Sequence, residues 1–532
     1  MQRFRRNWFP FLLGSLFITF VTLPYIWAYQ NSGGSHWFGG FLLNPIDGNS
    51  YLSKMYQGWQ GNWRYQLPYT VEPGEGGYLF LFYLALGHIA RLSSGRIQII
   101  FHLARIAGAI ALVISLWHFY SKVFDNERSR WLAFGLALFG SGMGWLASMF
   151  GIFSADFWVA EGYPFLAAYA NPHFPLGLAI MLWILTPRLD KDNHWEDEQS
   201  NLHRILIVAA GFLLAIILPF GVVIAGAVLG GLVIWELWVK TDERKDLRGV
   251  YHLVKSLLRQ TEPGEKFILM LLGSFPVLAY QVWVTRSDPV LAVWNAQNLT
   301  ASPPIWELLI SYSPILLVAI PGVYFAVKGN KENTRVLLLW AGLGFVLLYI
   351  PWSLQRRFIT GYMIPLAGLA AIGLDQLFSR KIIFGLAALC LVIIMIIPTN
   401  LMIILGGLQA IRGKEESIYL SQDEYQGLLW LEANTEAEAV ILASPEMGLF
   451  IPAYTGRRVL YGHPFETPDA VNRETQLLSF FSGAEYGFDE QAILGAEYLF
   501  YGNRERELGM INISQGYELV FEARDLQIFQ IK

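Results

Sequence analysis

Charge is what this sequence has least of: Lys, Arg, Asp and Glu together make up 15% of its 532 residues, against about a quarter in an average soluble domain. Cysteine is nearly absent. The single Cys390 lies inside an apolar run, which excludes an intrachain disulfide and a thiolate metal cluster. A glycine-rich phosphate cradle, a serine-nucleophile elbow and a zinc-ligand signature are also missing, so none of those three chemistries is signalled. No internal repeat or low-complexity segment is apparent.

Apolar residues are abundant. They account for 54% of the chain, the mean hydropathy is +0.40, and runs of about 18 to 25 residues recur, each long enough to cross a bilayer as a helix. Twelve candidate spans fall at roughly 10–28, 77–91, 97–120, 131–150, 173–187, 205–218, 220–239, 267–284, 305–327, 334–352, 358–377 and 382–406. The basic opening MQRFRRNW precedes the first run, but no small-x-small cleavage site follows, and Tyr25, Trp27 and Tyr29 form an aromatic anchor. An uncleaved first helix with a cytoplasmic N-terminus is expected.

Net charge is −4, but it is unevenly spread. From Gly407 onward there are 9 Lys and Arg against 20 Asp and Glu, a net of −11, which leaves 29 against 22, or +7, before it. The pattern divides the chain into a basic membrane body, 1–406, and an acidic soluble tail, 407–532, and gives no sign of nucleic-acid binding. The connector 240–266 carries seven basic residues (Lys240, Arg244, Lys245, Arg248, Lys255, Arg259, Lys266), and KGNKEN (328–333) and SRK (379–381) are short and basic. By the positive-inside rule all three are cytoplasmic, which puts loops 285–304 and 353–357 and the tail outside. Twelve crossings from a cytoplasmic N-terminus would instead put the tail inside, so an odd total within 11 to 13 is expected. Either the short run 77–91 fails to cross, or 131–150, interrupted at GSGMG, is re-entrant.

The loop 29–76 is rich in Trp, Tyr, Gly and Pro. Within it Asn49–Trp63 reads as an amphipathic helix with Tyr51, Met55 and Trp59 on one face, expected to lie on the outer membrane surface. In the tail, 424–431 reads as helix, and 439–443, 457–462 and 497–502 as strands. ELVFEA and LQIFQI close the chain as a strand pair, so a small α/β domain is predicted.

Asp47 stands out in NPIDGNSYLSKMYQGWQGNW: a carboxylate at the mouth of the membrane body can act as general base toward an acceptor hydroxyl or amine. Equally, it can cap a helix that starts near Ser50. An acidic residue in a long first outer loop, then a juxtamembrane helix, many spans and an outer tail, resembles the GT-C superfamily of integral membrane glycosyltransferases. The resemblance covers nearly the whole chain, through Asp47-x-x-x-Tyr51-Leu52, the segment 161–175, the run Gln355-Arg356-Arg357 and YTGRRVLYGH (454–463).

That resemblance implies a hexosyl- or pentosyltransferase of the cell membrane that uses a polyprenyl-phosphate sugar donor and inverts the anomeric centre by direct displacement. Asp47 would be the acceptor-activating base, and the acceptor a glycan, lipid or protein. The family's frequent paired acidic motif is absent, since Gly48 follows Asp47, which leaves no cofactor firmly implied and a divalent metal undecided. Glu161 matches a second carboxylate that some members carry; with His173 it can equally fix a loop by hydrogen bonding.

Arg356 and Arg357, at the outer end of a span, suit a lipid-linked phosphate or ordinary headgroups. Trp294, with Asn295 and Gln297, suits sugar stacking or an aromatic belt. His463, near Glu466 in GHPFETP, reads as a turn histidine or as part of a substrate-facing loop. A multi-pass transporter or lipid flippase is the alternative from another class, disfavoured because the polar candidates sit at span ends rather than near the midplane. A non-catalytic scaffold would have no use for Asp47.

Overall fold

A computed structural model of the chain describes residues 8–187, 198–241, 261–483, 495–511 and 516–532. The basic opening before Trp8 and most of the connector 240–266 lie outside these. Seven described helices are long and apolar enough to cross a membrane: Trp8–Gln30, Ile97–Val123, Glu127–Ser148, Pro219–Val239, Glu262–Ser287, Gln355–Arg380 and Ile382–Gly413. The pair Ile305–Tyr312 and Ile315–Gly329, bent by 88°, makes an eighth if taken as one span. The chain is thus a polytopic helical membrane protein, with fewer full-length spans among the described residues than the 11 to 13 expected.

The shortfall has a physical source. Crossing needs about 20 apolar residues, whereas the run at 77–91 folds as Leu81–Leu92, that at 173–187 as His173–Leu185 and that at 334–352 as Arg335–Leu348. The run at 305–327 breaks at Ser313 and Pro314, where proline supplies no backbone N–H.

Two compact units emerge. The first comprises 1–22, 105–279 and 300–406, the second 23–104, 280–299 and 407–532. In the first, Lys266, counted above with the cytoplasmic basic residues, is buried. It pairs with Glu262 at 2.7 Å and donates to the Thr186 carbonyl at 2.6 Å. The GSGMG interruption breaks the span Glu127–Ser148 into helices Glu127–Phe139 and Gly144–Ser148 and is held by Asp156, which accepts from Gly142 N and Gly144 N at 3.2 and 3.0 Å and from Ser154 Oγ at 2.6 Å.

The second unit contains the tail sheet. With β1 at His36–Phe38, β2 at Tyr419–Ser421, β3 at Val440–Leu442, β4 at Arg458–Val459, β5 at Tyr498–Tyr501, β6 at Tyr517–Glu522 and β7 at Gln527–Ile531, the five-stranded order is β4-β3-β5-β7-β6. β3 runs parallel to β4 and β5, β7 antiparallel to β5 and β6, and β1 pairs separately with β2. Because strand side chains alternate, Ile441, Phe500 and Ile528 enter one core and Leu442, Leu499 and Phe529 another. Helices Gln422–Asn434 and Pro445–Thr455 contribute Leu428, Leu431, Met447 and Phe450 to the first core, and Ala470–Phe481 contributes Leu477 and Phe481 to the second.

Helix Pro45–Gln60 corrects the expectation of a surface helix. It begins four residues before Asn49 and packs against Leu81–Leu92 and Pro445–Thr455, burying Leu52, Lys54 and Met55. Two glycines permit the close approach: a Cβ on Gly58 would lie 2.1 Å from the Leu84 carbonyl oxygen, and one on Gly87 would lie 1.9 Å from that of Met55. Trp59, expected on the same face as Met55, is exposed.

Candidate active site

Asn44, in the left-handed region at φ 49°, caps the helix that carries Asp47, and Pro45 supplies a preset first helical residue. The cap is reciprocal: the Asn44 amide donates to Asp47 Oδ2 at 2.6 Å, while its oxygen accepts from Asp47 N at 3.4 Å. The carboxylate thus sits in the first turn, where the helix dipole favours negative charge, with its side chain 37% exposed.

Buried His463 approaches from the tail, its Nε2 3.4 Å from Asp47 Oδ1. Nδ1 faces the backbone N–H groups of Phe465 and Glu466 at 3.1 and 3.2 Å. Two donors on one nitrogen assign it as the acceptor, so the ring proton belongs on Nε2, toward Asp47. The turn itself is braced by Gln297, which donates to the carbonyls of Thr467 and Phe465 at 2.6 and 3.3 Å and accepts from Asp469 N at 3.1 Å.

Glu466 anchors the same turn. It accepts from Ser50 Oγ at 2.6 Å, Lys54 Nζ at 2.7 Å and Tyr65 Oη at 3.1 Å. Lys54 is fully buried, with Phe80, Tyr65 and Tyr51 ring centroids 4.5, 5.3 and 5.5 Å from its nitrogen. Burial lowers the lysine's proton affinity, opposed by Glu466. Burial also pushes the Glu466 carboxyl up, but the Lys54 charge and the hydrogen bonds from Lys54 and Ser50 outweigh it and hold the group below its usual range. Tyr51 stacks on Tyr83 at 4.5 Å, and Trp294 meets Phe80 at 6.0 Å. The structure thus brings Asp47 and His463 into contact, with Tyr51 on the same helix and Trp294 beside the Lys54 surroundings.

The remaining candidates lie in the first unit. Glu161, buried in the turn Ala160–Gly162, pairs with Arg357 Nη1 at 3.1 Å. Arg356 instead lays its guanidinium over Trp158, 4.7 Å from the ring centroid. His173 opens helix His173–Leu185 with its ring 4.0 Å from that of Phe174. No cluster of three or more His, Cys, Asp or Glu side chains suited to a metal occurs among the described residues.

Sequence reasoning passed over Lys54, Ser50 and Tyr65. Lys54 is a lone cation between Tyr51 and Met55, which is a signal, but nothing local ties it to a glutamate 412 residues away.

By sequence, no protein-family model and no curated protein matches the chain. Solved structures do resemble it. One is the oligosaccharyltransferase of Archaeoglobus fulgidus in complex with Zn and sulfate, with 15% identity and TM-score 0.55 over 92% of this chain and 68% of that one. The oligosaccharyltransferase AglB of the same organism, with an inhibitory peptide and a dolichol-phosphate, has 12% identity and TM-score 0.54 over 94% and 70%. ArnT of Cupriavidus metallidurans, bound to undecaprenyl phosphate, has 14% identity and TM-score 0.51 over 97% of each chain. At these identities the likeness is one of fold alone.

Proposed function

We propose that this chain is an integral membrane glycosyltransferase that moves a sugar from a polyprenyl-phosphate-linked donor to an acceptor at the outer face of the cell membrane. The observation that carries the reading is Asp47: a carboxylate fixed by Asn44 on one oxygen and faced by His463 on the other, yet still 37% exposed. A side chain serving only as a cap needs no second partner from the tail. The shared fold with ArnT over 97% of both chains supports the donor class.

In the proposed reaction the acceptor hydroxyl or amine attacks the anomeric carbon as the bond from that carbon to the phosphate oxygen breaks. The acceptor's proton passes to Asp47, the polyprenyl phosphate departs with the bonding pair, and the anomeric centre inverts. His463 Nε2, 3.4 Å from Oδ1, closes one side of the carboxylate's surroundings. In the other unit, Glu161 holds Arg357, whose planar guanidinium suits a lipid phosphate, while Arg356 serves as an anchor. The segment 407–532 is taken as an extracytoplasmic α/β module whose His463 turn completes the surroundings of Asp47.

Reconstituted protein supplied with a polyprenyl-phosphate sugar should release polyprenyl phosphate in the presence of acceptor. Asp47→Asn keeps shape and the Asn44 contact but removes basicity, so it should abolish release while leaving the melting temperature unchanged. A native rate in that variant would remove Asp47 from the mechanism.

A further inference from the structure

A cavity of about 530 Å³ opens in the second unit at the opposite end of the helix that carries Asp47. Gln57, Gln60 and Asn62 line it, with Trp59 among them. At about 1.5 Å of rise per residue, Gln60 lies roughly 20 Å along the helix from Asp47. The cavity therefore does not adjoin the Asp47 carboxylate.

Its volume is that of a small-molecule site, and its wall is mixed, with Trp59, Leu67, Pro68 and Ala437 beside amides and charged groups. Gln57 is committed to the backbone of Gln66, accepting from its N at 3.0 Å and donating to its O at 2.8 Å, which fixes the wall. The side chains that reach Gln60 and Asn62, those of Arg91 and His88, meet their backbone carbonyls, and each side-chain amide presents a donor and an acceptor together. Trp59, 37% exposed, adds an indole ring whose neighbour is the Tyr56 ring at 5.3 Å.

Paired donors and acceptors beside an indole face match a ligand with many hydroxyls and apolar C–H surfaces. The charges argue against a simple anion site: Arg458 lies 3.5 Å from Glu438 and also donates to the carbonyls of Glu438 and Val71. Arg91 is tethered to the Gln60 carbonyl at 3.3 Å.

We infer that this cleft binds an oligosaccharide. Given the transferase reading above, on which this assignment of role rests, the bound saccharide is the part of the acceptor remote from the reacting group. Binding energy gathered there, away from the chemistry, then serves turnover as well as affinity.

The test uses the full chain in lipid nanodiscs on an array of short neutral and uronic-acid oligosaccharides, followed by titration of whichever is retained. Retention is expected, weakened about tenfold by Trp59→Ala and also weakened by Asn62→Ala, a change at an exposed side chain that leaves the fold intact. Asp47→Asn should bind as well as the native protein, so loss of transfer and loss of saccharide binding are read separately. The inference is overturned if no saccharide is retained, if inorganic phosphate alone binds, or if neither cleft variant weakens binding.

Discussion

Lys54 and Glu466 stand 2.7 Å apart, the lysine without measurable exposure and the glutamate side chain 12% exposed. The pair ties the first loop to the turn that presents His463 to Asp47. Removing one partner of such a pair strands the other, at a cost of about 3–5 kcal/mol, whereas removing both is far milder. Lys54→Met and Glu466→Gln should each lower the melting temperature of the detergent-solubilised protein, and the double variant should recover much of the loss. Additive losses would mean that the two charges do not act as a unit.

Acid should loosen the same turn. Glu466 is held below the ordinary glutamate value of 4.5, so in the folded state it keeps its charge more readily than in the unfolded chain. Its contribution is fully present above that value and is lost as pH falls through the lower folded value. The hydrogen-exchange protection factors of 463–469 should hold from neutral pH to about 4.5 and fall below it. Glu466→Gln should show no such step.

His463 is a positioning residue in this scheme, so its loss should fall on turnover rather than on donor affinity. His463→Gln removes the Nε2–H that faces Asp47, and misplacement of a reacting group costs about 10²-fold. Steady-state kinetics should show kcat reduced with KM little changed. A variant with native kcat would reduce His463 to a turn residue.

The arginines should separate. Arg357 is paired with Glu161 at 3.1 Å, and Arg356 stacks on Trp158. Because lysine keeps the charge but not the planar fork, Arg357→Lys should lower both donor affinity and turnover, whereas Arg356→Lys should be tolerated. Charge that gathers on the departing phosphate makes the turnover effect the larger of the two. Near-native kinetics for both variants would take the phosphate role away from this segment.

The sequence by itself determined those features that depend on neighbours along the chain. Apolar runs of bilayer length mark Ile97–Val123 and Ile382–Gly413 as spans, and residue alternation marks β5 and β7 as strands. The placement of Asp47 beside a helix start follows from its Pro and Gly-Asn neighbours, although the helix begins at Pro45 rather than near Ser50. Only the tertiary structure decided what depends on partners far away in the chain. It turned a surface helix into one buried through Gly58 and Gly87, shortened 77–91 to a helix below bilayer length and fixed the strand order β4-β3-β5-β7-β6. It also gave Lys54 a carboxylate from the tail and Glu161 an arginine 196 residues away. Periodicity records how each residue meets its own helix or strand, since that geometry repeats every few positions. A pairing between residues hundreds of positions apart is set by topology and close packing, and it leaves no periodic trace in the sequence.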